Sequence, residues 1–149
     1  MKYHNIFITG STGVVGKPLL RKIVDQGYNV FALSRSQNND HFFSDLGVKK
    51  IEGDLFTAAI YDELSDCNID AIFHIAGVNK MCSKNPEGMF KANIEGTKEM
   101  LQLGNRLKIK KFIYTSSAVT LGEEIGTVGN ELSDHRGYFL SKYEESKFL

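Results

Sequence analysis

Apolar positions along the chain fall into short runs separated by polar and glycine-rich stretches. Asn5–Thr9 (NIFIT) is one such run, and it ends in the cluster Gly10-Ser11-Thr12-Gly13. From residue 14 to residue 26, Val14, Val15, Leu19, Leu20, Ile23 and Val24 recur at helical spacing, so the pattern predicts strand, turn, helix. Gly27 stops that helix, and residues 28–33 (YNVFAL) supply a second strand, completing a βαβ unit with an expected right-handed crossover. A polar, turn-rich stretch covers 34–40. A third strand at 48–51 runs into Gly53-Asp54-Leu55, and a modest helix is expected over 57–64. Residues 69–75 (IDAIFHI) make a fourth strand whose mostly apolar run suits a sheet covered on both faces. The longest helix is expected over 87–107, with Met89, Phe90, Ile94, Met100, Leu101 and Leu103 facing inward. A fifth strand follows at 111–115, and a last helix begins near Tyr138. This alternation predicts an α/β fold with a parallel sheet, and without linkers or repeats it predicts one compact unit. Pro18 and Pro86 both stand near expected helix starts, where proline is tolerated.

Composition narrows the function classes. The 149 residues are 42% hydrophobic and 24% charged, which is ordinary for one soluble domain with a real core. Eighteen basic residues balance eighteen acidic ones, so no overall field draws the chain to nucleic acid or to an anionic membrane. The first strand follows Met1 too closely for a signal segment, and no apolar run approaches the roughly 20 residues that span a bilayer. A soluble, cytoplasmic protein is expected. Cys67 and Cys82 form no CxxC pair and have no metal-like spacing to histidine, so reduced thiols and no metal site are expected.

The segment Gly10-Ser11-Thr12-Gly13-Val14-Val15-Gly16 spaces its glycines as G-x-x-G-x-x-G between the first strand and the first helix. One glycine allows a tight turn, one lets the backbone approach a pyrophosphate and one lets helix and strand pack closely. The helix N-terminus meanwhile offers free N–H groups and partial positive charge. A dinucleotide belongs there. The acid that would bond a ribose 2′-hydroxyl in an NAD enzyme is expected at the end of the second strand, but Ser34 and Arg35 stand there. A guanidinium suits a 2′-phosphate, so NADP is preferred over NAD.

Several ordered motifs resemble the extended short-chain dehydrogenase/reductase superfamily, in its NAD-dependent epimerase/dehydratase group, over the whole chain. The turn looks like that family's TGxxGxxG. Gly53-Asp54-Leu55 resembles its G-D-[LV] element, where the aspartate meets the adenine. His74-Ile75-Ala76-Gly77 resembles the H-x-A-[AG] segment along the cofactor, and Asn93 in Ala92-Asn93-Ile94-Glu95-Gly96-Thr97 matches the asparagine that holds the active-site geometry. On the residues alone, Asp54 would serve equally as a helix cap, and His74 as a hydrogen-bonded histidine at a strand end. The resemblance implies a Rossmann-type, doubly wound parallel sheet of about five strands in the order 3-2-1-4-5.

Candidate chemistry lies in Ser116-Ser117 and in Tyr138-Phe139-Leu140-Ser141-Lys142. Residues four apart share a helix face, so a Y-x-x-x-K pair sets an ammonium beside a phenol. A phenol titrates near ~10, and a neighbouring cation favours its ionised form, which brings proton transfer within reach at neutral pH. The resemblance makes Tyr138 the proton carrier and Lys142 also a holder of the nicotinamide ribose, both therefore touching cofactor, and makes Ser117 the residue that orients the substrate oxygen. Tyr143 and Lys147 repeat the spacing five residues on; motif context favours the first pair. Thr120-Leu121-Gly122 stands where many members carry V-Y-G, a departure closer to the dihydroflavonol-reductase type.

Family members continue well past this helix into further strands and a substrate-covering lobe. The resemblance therefore implies an incomplete cofactor-binding domain, residues 1–149, without its C-terminal substrate lobe. The expected activity is that of an oxidoreductase or nucleotide-sugar epimerase/dehydratase acting on a sugar nucleotide, ketone or alcohol, present as an N-terminal fragment. The alternatives are a non-catalytic NADP(H)-binding module, and a subunit completed by another chain or by a second copy.

Overall fold

The computed structural model describes residues 4–82, 84–123 and 126–149. Its strands are β1 (Asn5–Thr9), β2 (Asn29–Ser34), β3 (Lys49–Glu52), β4 (Ala71–His74) and β5 (Lys111–Tyr114). Its α-helices are α1 (Gly16–Asp25), α2 (Asp40–Asp45), α3 (Ile60–Leu64), α4 (Glu87–Phe90), α5 (Gly96–Arg106) and α6 (Lys142–Phe148). All strands pair in parallel in the order β3-β2-β1-β4-β5, the Rossmann-type arrangement expected.

The chain divides into two compact units, residues 1–76 with 96–115 and residues 77–95 with 116–149, where one had been expected. The distribution of apolar burial gives the reason. The first unit holds the sheet and nearly all the core, whereas Met89 is the one buried hydrophobic residue among those described in the second.

In the sheet unit, successive side chains of a strand alternate between faces. Phe7 therefore joins Leu33, Ile51 and Ile72 under Ile60 and Leu64 of α3 and Met100 and Leu103 of α5. Ile6 and Ile8 face the other way, against Leu20 and Ile23 of α1 and Phe43 of α2. Each fully buried side chain of this kind contributes about 2 kcal/mol of transfer free energy, which holds the sheet between two helical layers.

Several boundaries differ from expectation. Helix α1 starts at Gly16, leaving Val14 and Val15 of the turn 94% and 56% exposed rather than packed. Helix α2 lies between the polar stretch 34–40 and the third strand, where no element was expected. It follows a 3₁₀ turn (Gln37–Asn39) whose start is capped by Ser36 Oγ accepting from Asn38 N–H, and only Phe43 of α2 is buried. Helix α3 begins at Ile60 rather than 57, because the Thr57 hydroxyl is engaged by Asp54 N–H at 2.9 Å. The expected helix over 87–107 is realised as α4, a π-helical turn (Lys91–Glu95) and α5. The last helix starts at Lys142, four residues later than expected.

Candidate functional site

At the end of β1 the chain enters the glycine turn, and its three glycines have different duties. Gly10 has φ +72°, and a Cβ there would stand 2.5 Å from Ala76 N. A Cβ on Gly16 would run into the Gly10 carbonyl oxygen and the Ser11 backbone. Both positions are closed by the protein's own packing. Gly13 is exposed, and a Cβ there would meet only Gly10 O, at an ordinary 3.4 Å. The space in front of Gly13 is thus open to a ligand. Helix α1 starts behind it with no side-chain cap and no acid in its first turn; Lys17 N–H bonds Gly13 O at 3.0 Å, Leu19 N–H bonds Val15 O at 3.3 Å and Pro18 has no N–H, so no side chain offsets the positive end of the helix. Ser11 Oγ is fully buried in the turn without a hydrogen-bond partner, next to half-buried Thr12. An uncapped helix start, an open glycine and an orphaned hydroxyl fit a dinucleotide pyrophosphate, which would supply the missing acceptors.

His74 serves the turn from beneath. It is fully buried, shares a hydrogen bond with Thr9 Oγ1 at 2.7 Å through Nδ1 and another with Thr97 Oγ1 at 3.1 Å through Nε2, and stacks on Tyr114. Ala76 N–H donates to the same Thr9 hydroxyl, and Ile75 N–H donates to Thr9 O. The segment Ile75-Ala76 that closes over Gly10 is therefore pinned to β1, and His74 occupies a structural position in that network. At the next strand end, Ser34 is buried with its hydroxyl turned to Ser36 O at 3.3 Å, while Arg35 is exposed. Gly53 N–H donates to Ser34 O, which brings Asp54 to the same sheet edge. Asp54 Oδ1 accepts from Phe56 N–H at 2.9 Å and closes its own turn. The Leu55 side chain packs against the core, 2.5 Å from where a Cβ on Gly96 would stand, and so supports the contact with α5.

In the second unit, Asn93 sits in the π-helical turn, 3% exposed. Its Oδ1 accepts from Val78 N–H at 2.7 Å, and its Nδ2 donates to Val78 O and to Ser146 Oγ, both at 2.9 Å. It clamps the segment after Gly77. A Cβ on Gly77 would meet Asn93 Oδ1 and Lys147 Nζ, each at 3.3 Å. Ser117 caps the 3₁₀ turn Ala118–Thr120, its Oγ accepting from Val119 N–H at 3.4 Å.

The expected pairing of Tyr138 with Lys142 on one helix is corrected here. Tyr138 precedes α6, follows Gly137 at φ +85° and is 61% exposed; Lys142 Nζ bonds Glu145 Oε2 at 2.8 Å. The cause is a local capping box. Ser141 Oγ accepts from Glu144 N–H at 3.1 Å, and the buried Glu144 carboxylate reaches back to Leu140 N–H at 2.7 Å, which fixes the helix start one turn after Tyr138. Glu144 Oε1 also faces Arg136 Nη2 at 3.5 Å and His135 Nε2 at 3.8 Å. Tyr143 and Lys147 do share α6 at helical spacing, and Lys147 is the lysine brought to Gly77. Their spacing was the available signal for this, together with the S-x-x-E string Ser141 to Glu144. Among the described residues no group of acids, histidines and cysteines is placed to hold a metal, and no helix is long and apolar enough to cross a membrane.

The profile of the NAD dependent epimerase/dehydratase family matches residues 6–149. A dihydroflavonol 4-reductase of Dianthus caryophyllus is 31% identical over 127 positions, covering 80% of this chain and 35% of the relative. A decarboxylating sterol-4-alpha-carboxylate 3-dehydrogenase of Dictyostelium discoideum is 27% identical, over 97% of this chain and 45% of its own length. The solved structure of MoeE5 in complex with UDP-glucuronic acid and NAD is 25% identical with a TM-score of 0.78, covering 96% of this chain and 46% of that one. The chain spans less than half the length of these relatives. With its sheet order, its glycine turn and the profile match over almost its full length, the chain belongs to the NAD-dependent epimerase/dehydratase family of extended short-chain dehydrogenases/reductases.

Proposed function

We propose that the chain is the dinucleotide-binding part of an NADP-preferring oxidoreductase or nucleotide-sugar epimerase/dehydratase. The observation that carries this is the glycine turn, where the unpaired Ser11 hydroxyl lies under an uncapped α1 and open space fronts Gly13. Gly10, Ser11, Thr12, Gly13, Val14, Val15 and Gly16 form the turn that binds the pyrophosphate, with the open face at Gly13. The exposed Val14 and Val15 side chains are covered by the ligand. Arg35 binds a 2′-phosphate, and Asp54 takes the adenine side. Ile75, Ala76 and Gly77 lie along the cofactor; His74 shares the Thr9 hydroxyl that holds Ala76, and Asn93 holds Val78, the residue after Gly77. When bound, the nicotinamide supplies hydride transfer.

The chain's own acid–base residues are a tyrosine that exchanges a proton with a substrate hydroxyl or carbonyl at its Oη, a lysine that holds positive charge beside it, and Ser117, whose hydroxyl orients the substrate oxygen. Tyr138 and Lys142 carry the family string Y-x-x-S-K. A second pair, Tyr143 and Lys147, shares α6, and a Cβ on Gly77 would stand 3.3 Å from Lys147 Nζ. Nucleotide sugars and small ketones or alcohols are the substrate classes that the similar proteins suggest.

Calorimetric titration with NADPH and NADH tests the cofactor reading: tighter NADPH binding is expected, and binding of neither overturns it. Turnover of the native-length protein on sugar nucleotides and ketones, with Phe at each tyrosine in turn, tests the chemistry. Tyr138→Phe is expected to lower turnover about 10²- to 10⁴-fold with Tyr143→Phe near wild type. The reverse selects the second pair. Tight cofactor binding with no turnover supports the non-catalytic module.

A further inference from the structure

Beside the glycine turn, two cations of α1 converge on one aromatic ring of α2. Lys17 Nζ stands 5.5 Å and the Arg21 guanidinium 5.7 Å from the centre of the Phe42 ring. Lys17 and Arg21 are four residues apart and share one face of the helix, and the half-buried ring gives each a cation–π partner. Neither makes an ion pair among the described residues. The acid in the first turn of α2, Asp40, is taken by Lys50 at 2.8 Å, and Glu52 also faces Lys50, at 4.0 Å. The first turn of α1 contains no acid.

This arrangement runs against helix electrostatics. A cation in the first turn faces the positive end of the helix dipole, where acids ordinarily sit, and a second cation one turn on adds repulsion. Both costs are removed when an anion lies between the two cations and the turn. The topology says which part of a dinucleotide would do so. β1 and β2 are parallel with Ile8 opposite Ala32, so the turn after Thr9 and Arg35 after Ser34 leave the same edge of the sheet. Phe42 follows Arg35 through a 3₁₀ turn and the start of α2, and so returns its ring to the side of α1 that begins at the turn. Lys17 and Arg21 over Phe42, and Arg35 after β2, thus stand on the β2 side of the turn, where a cofactor seated on the turn would place its adenosine ribose.

We propose that Lys17 and Arg21, held over the Phe42 ring, form with Arg35 the subsite for the 2′-phosphate of NADP, so that cofactor choice is set on α1 as well as in the loop after β2. This deepens the NADP reading above and rests on it. Titration of the 149-residue chain with NADPH, NADH and 2′,5′-ADP reads the effect, with circular dichroism to confirm the fold of each variant. Lys17→Ala and Arg21→Ala are each expected to weaken NADPH and 2′,5′-ADP about tenfold while leaving NADH unchanged. Lys22→Ala, an exposed cation on the same helix away from the ring, is expected to change neither. Phe42→Leu, which keeps an apolar contact but removes the ring face, is expected to weaken NADPH about threefold.

A double variant, Lys17→Ala with Arg21→Ala, that keeps the wild-type NADPH preference while Arg35→Ala abolishes it overturns the inference and leaves the NADP reading intact. Equal weakening of both cofactors also overturns it, since the cations would then serve the pyrophosphate. Wild-type binding of NADH at least as tight as NADPH removes the NADP reading itself.

Discussion

The glycine turn and the Asn93 clamp both hold backbone segments in place, but by different means. Around the turn, Gly10 and Gly16 are closed by contacts with Ala76 and with the turn's own backbone, on strands buried from both faces. Around the clamp, Val78 and Ser146 are held by hydrogen bonds to one side chain, in a unit whose other buried side chains are mainly polar. Steric closure inside an apolar core has no cheap alternative conformation, whereas a hydrogen bond exchanges with water for about 1 kcal/mol. The glycine turn is thus preformed, and the Asn93 clamp is held by weaker, replaceable bonds.

The largest effect that sharpens this contrast is expected at Gly16. Gly16→Val drives two methyl groups into the Gly10 carbonyl and is expected to cost about 4 kcal/mol in chemical unfolding and to abolish cofactor binding. Gly13→Ala, whose Cβ meets only ordinary contact, is expected to keep stability while weakening cofactor binding in calorimetry. If Gly13→Ala destabilises the fold as strongly as Gly16→Val, the distinction between packed and ligand-facing glycines is wrong.

Much of this was legible in the sequence. The five strands and the turn show as apolar runs broken by glycines, and local period is a sufficient signal where both faces of a sheet are covered. Helix starts were less legible for identifiable reasons. Val14 and Val15 continue the apolar period of α1 but belong to the turn, because periodicity does not register where backbone hydrogen bonding begins. The Ser141-x-x-Glu144 box was present in the sequence, yet the overlapping Y-x-x-x-K strings drew the helix start back to Tyr138. The division into two units depends on how buried area is shared between distant segments, and no local pattern reports it.

A second test concerns the sheet unit's polar anchor. Asp70 accepts from His4 and Asn5 N–H and pairs with Lys110, which, with those N–H groups, holds its carboxyl far below the ordinary value of 3.8. A depressed folded-state value means that the stabilisation is complete above the unfolded value and is lost as pH falls below about 4 toward the folded one. Thermal unfolding from pH 6 to pH 2 is expected to show this loss in the wild type and a flatter acid limb in Asp70→Asn. Equal acid sensitivity in both would remove Asp70 as the anchor.

The third test falls on the clamp. Asn93→Ala leaves the Val78 N–H and C=O without their partner and is expected to cost about 1.5 kcal/mol, seen as faster amide exchange at Val78 and along α6 with the β1 and β4 amides unchanged. Faster exchange throughout the sheet would show that the two units open together and would break the comparison.

The smallest expected effect decides the most about α6. In the structure Ser141 is the N-cap, and Ser141→Ala removes the acceptor of Glu144 N–H at a cost of about 1 kcal/mol. Were the helix to start at Tyr138, as the Y-x-x-S-K string alone suggests, residue 141 would be interior. Alanine would then be the better helix former by roughly 0.5 kcal/mol, and the variant would be the more stable protein. The sign of the change, read from urea unfolding or from exchange at the Glu144 and Glu145 amides, therefore reports which register α6 adopts. Destabilisation keeps Tyr143 and Lys147 as the pair on a common helix. Stabilisation returns Tyr138 and Lys142 to one helical face and gives the family string the geometry its chemistry requires.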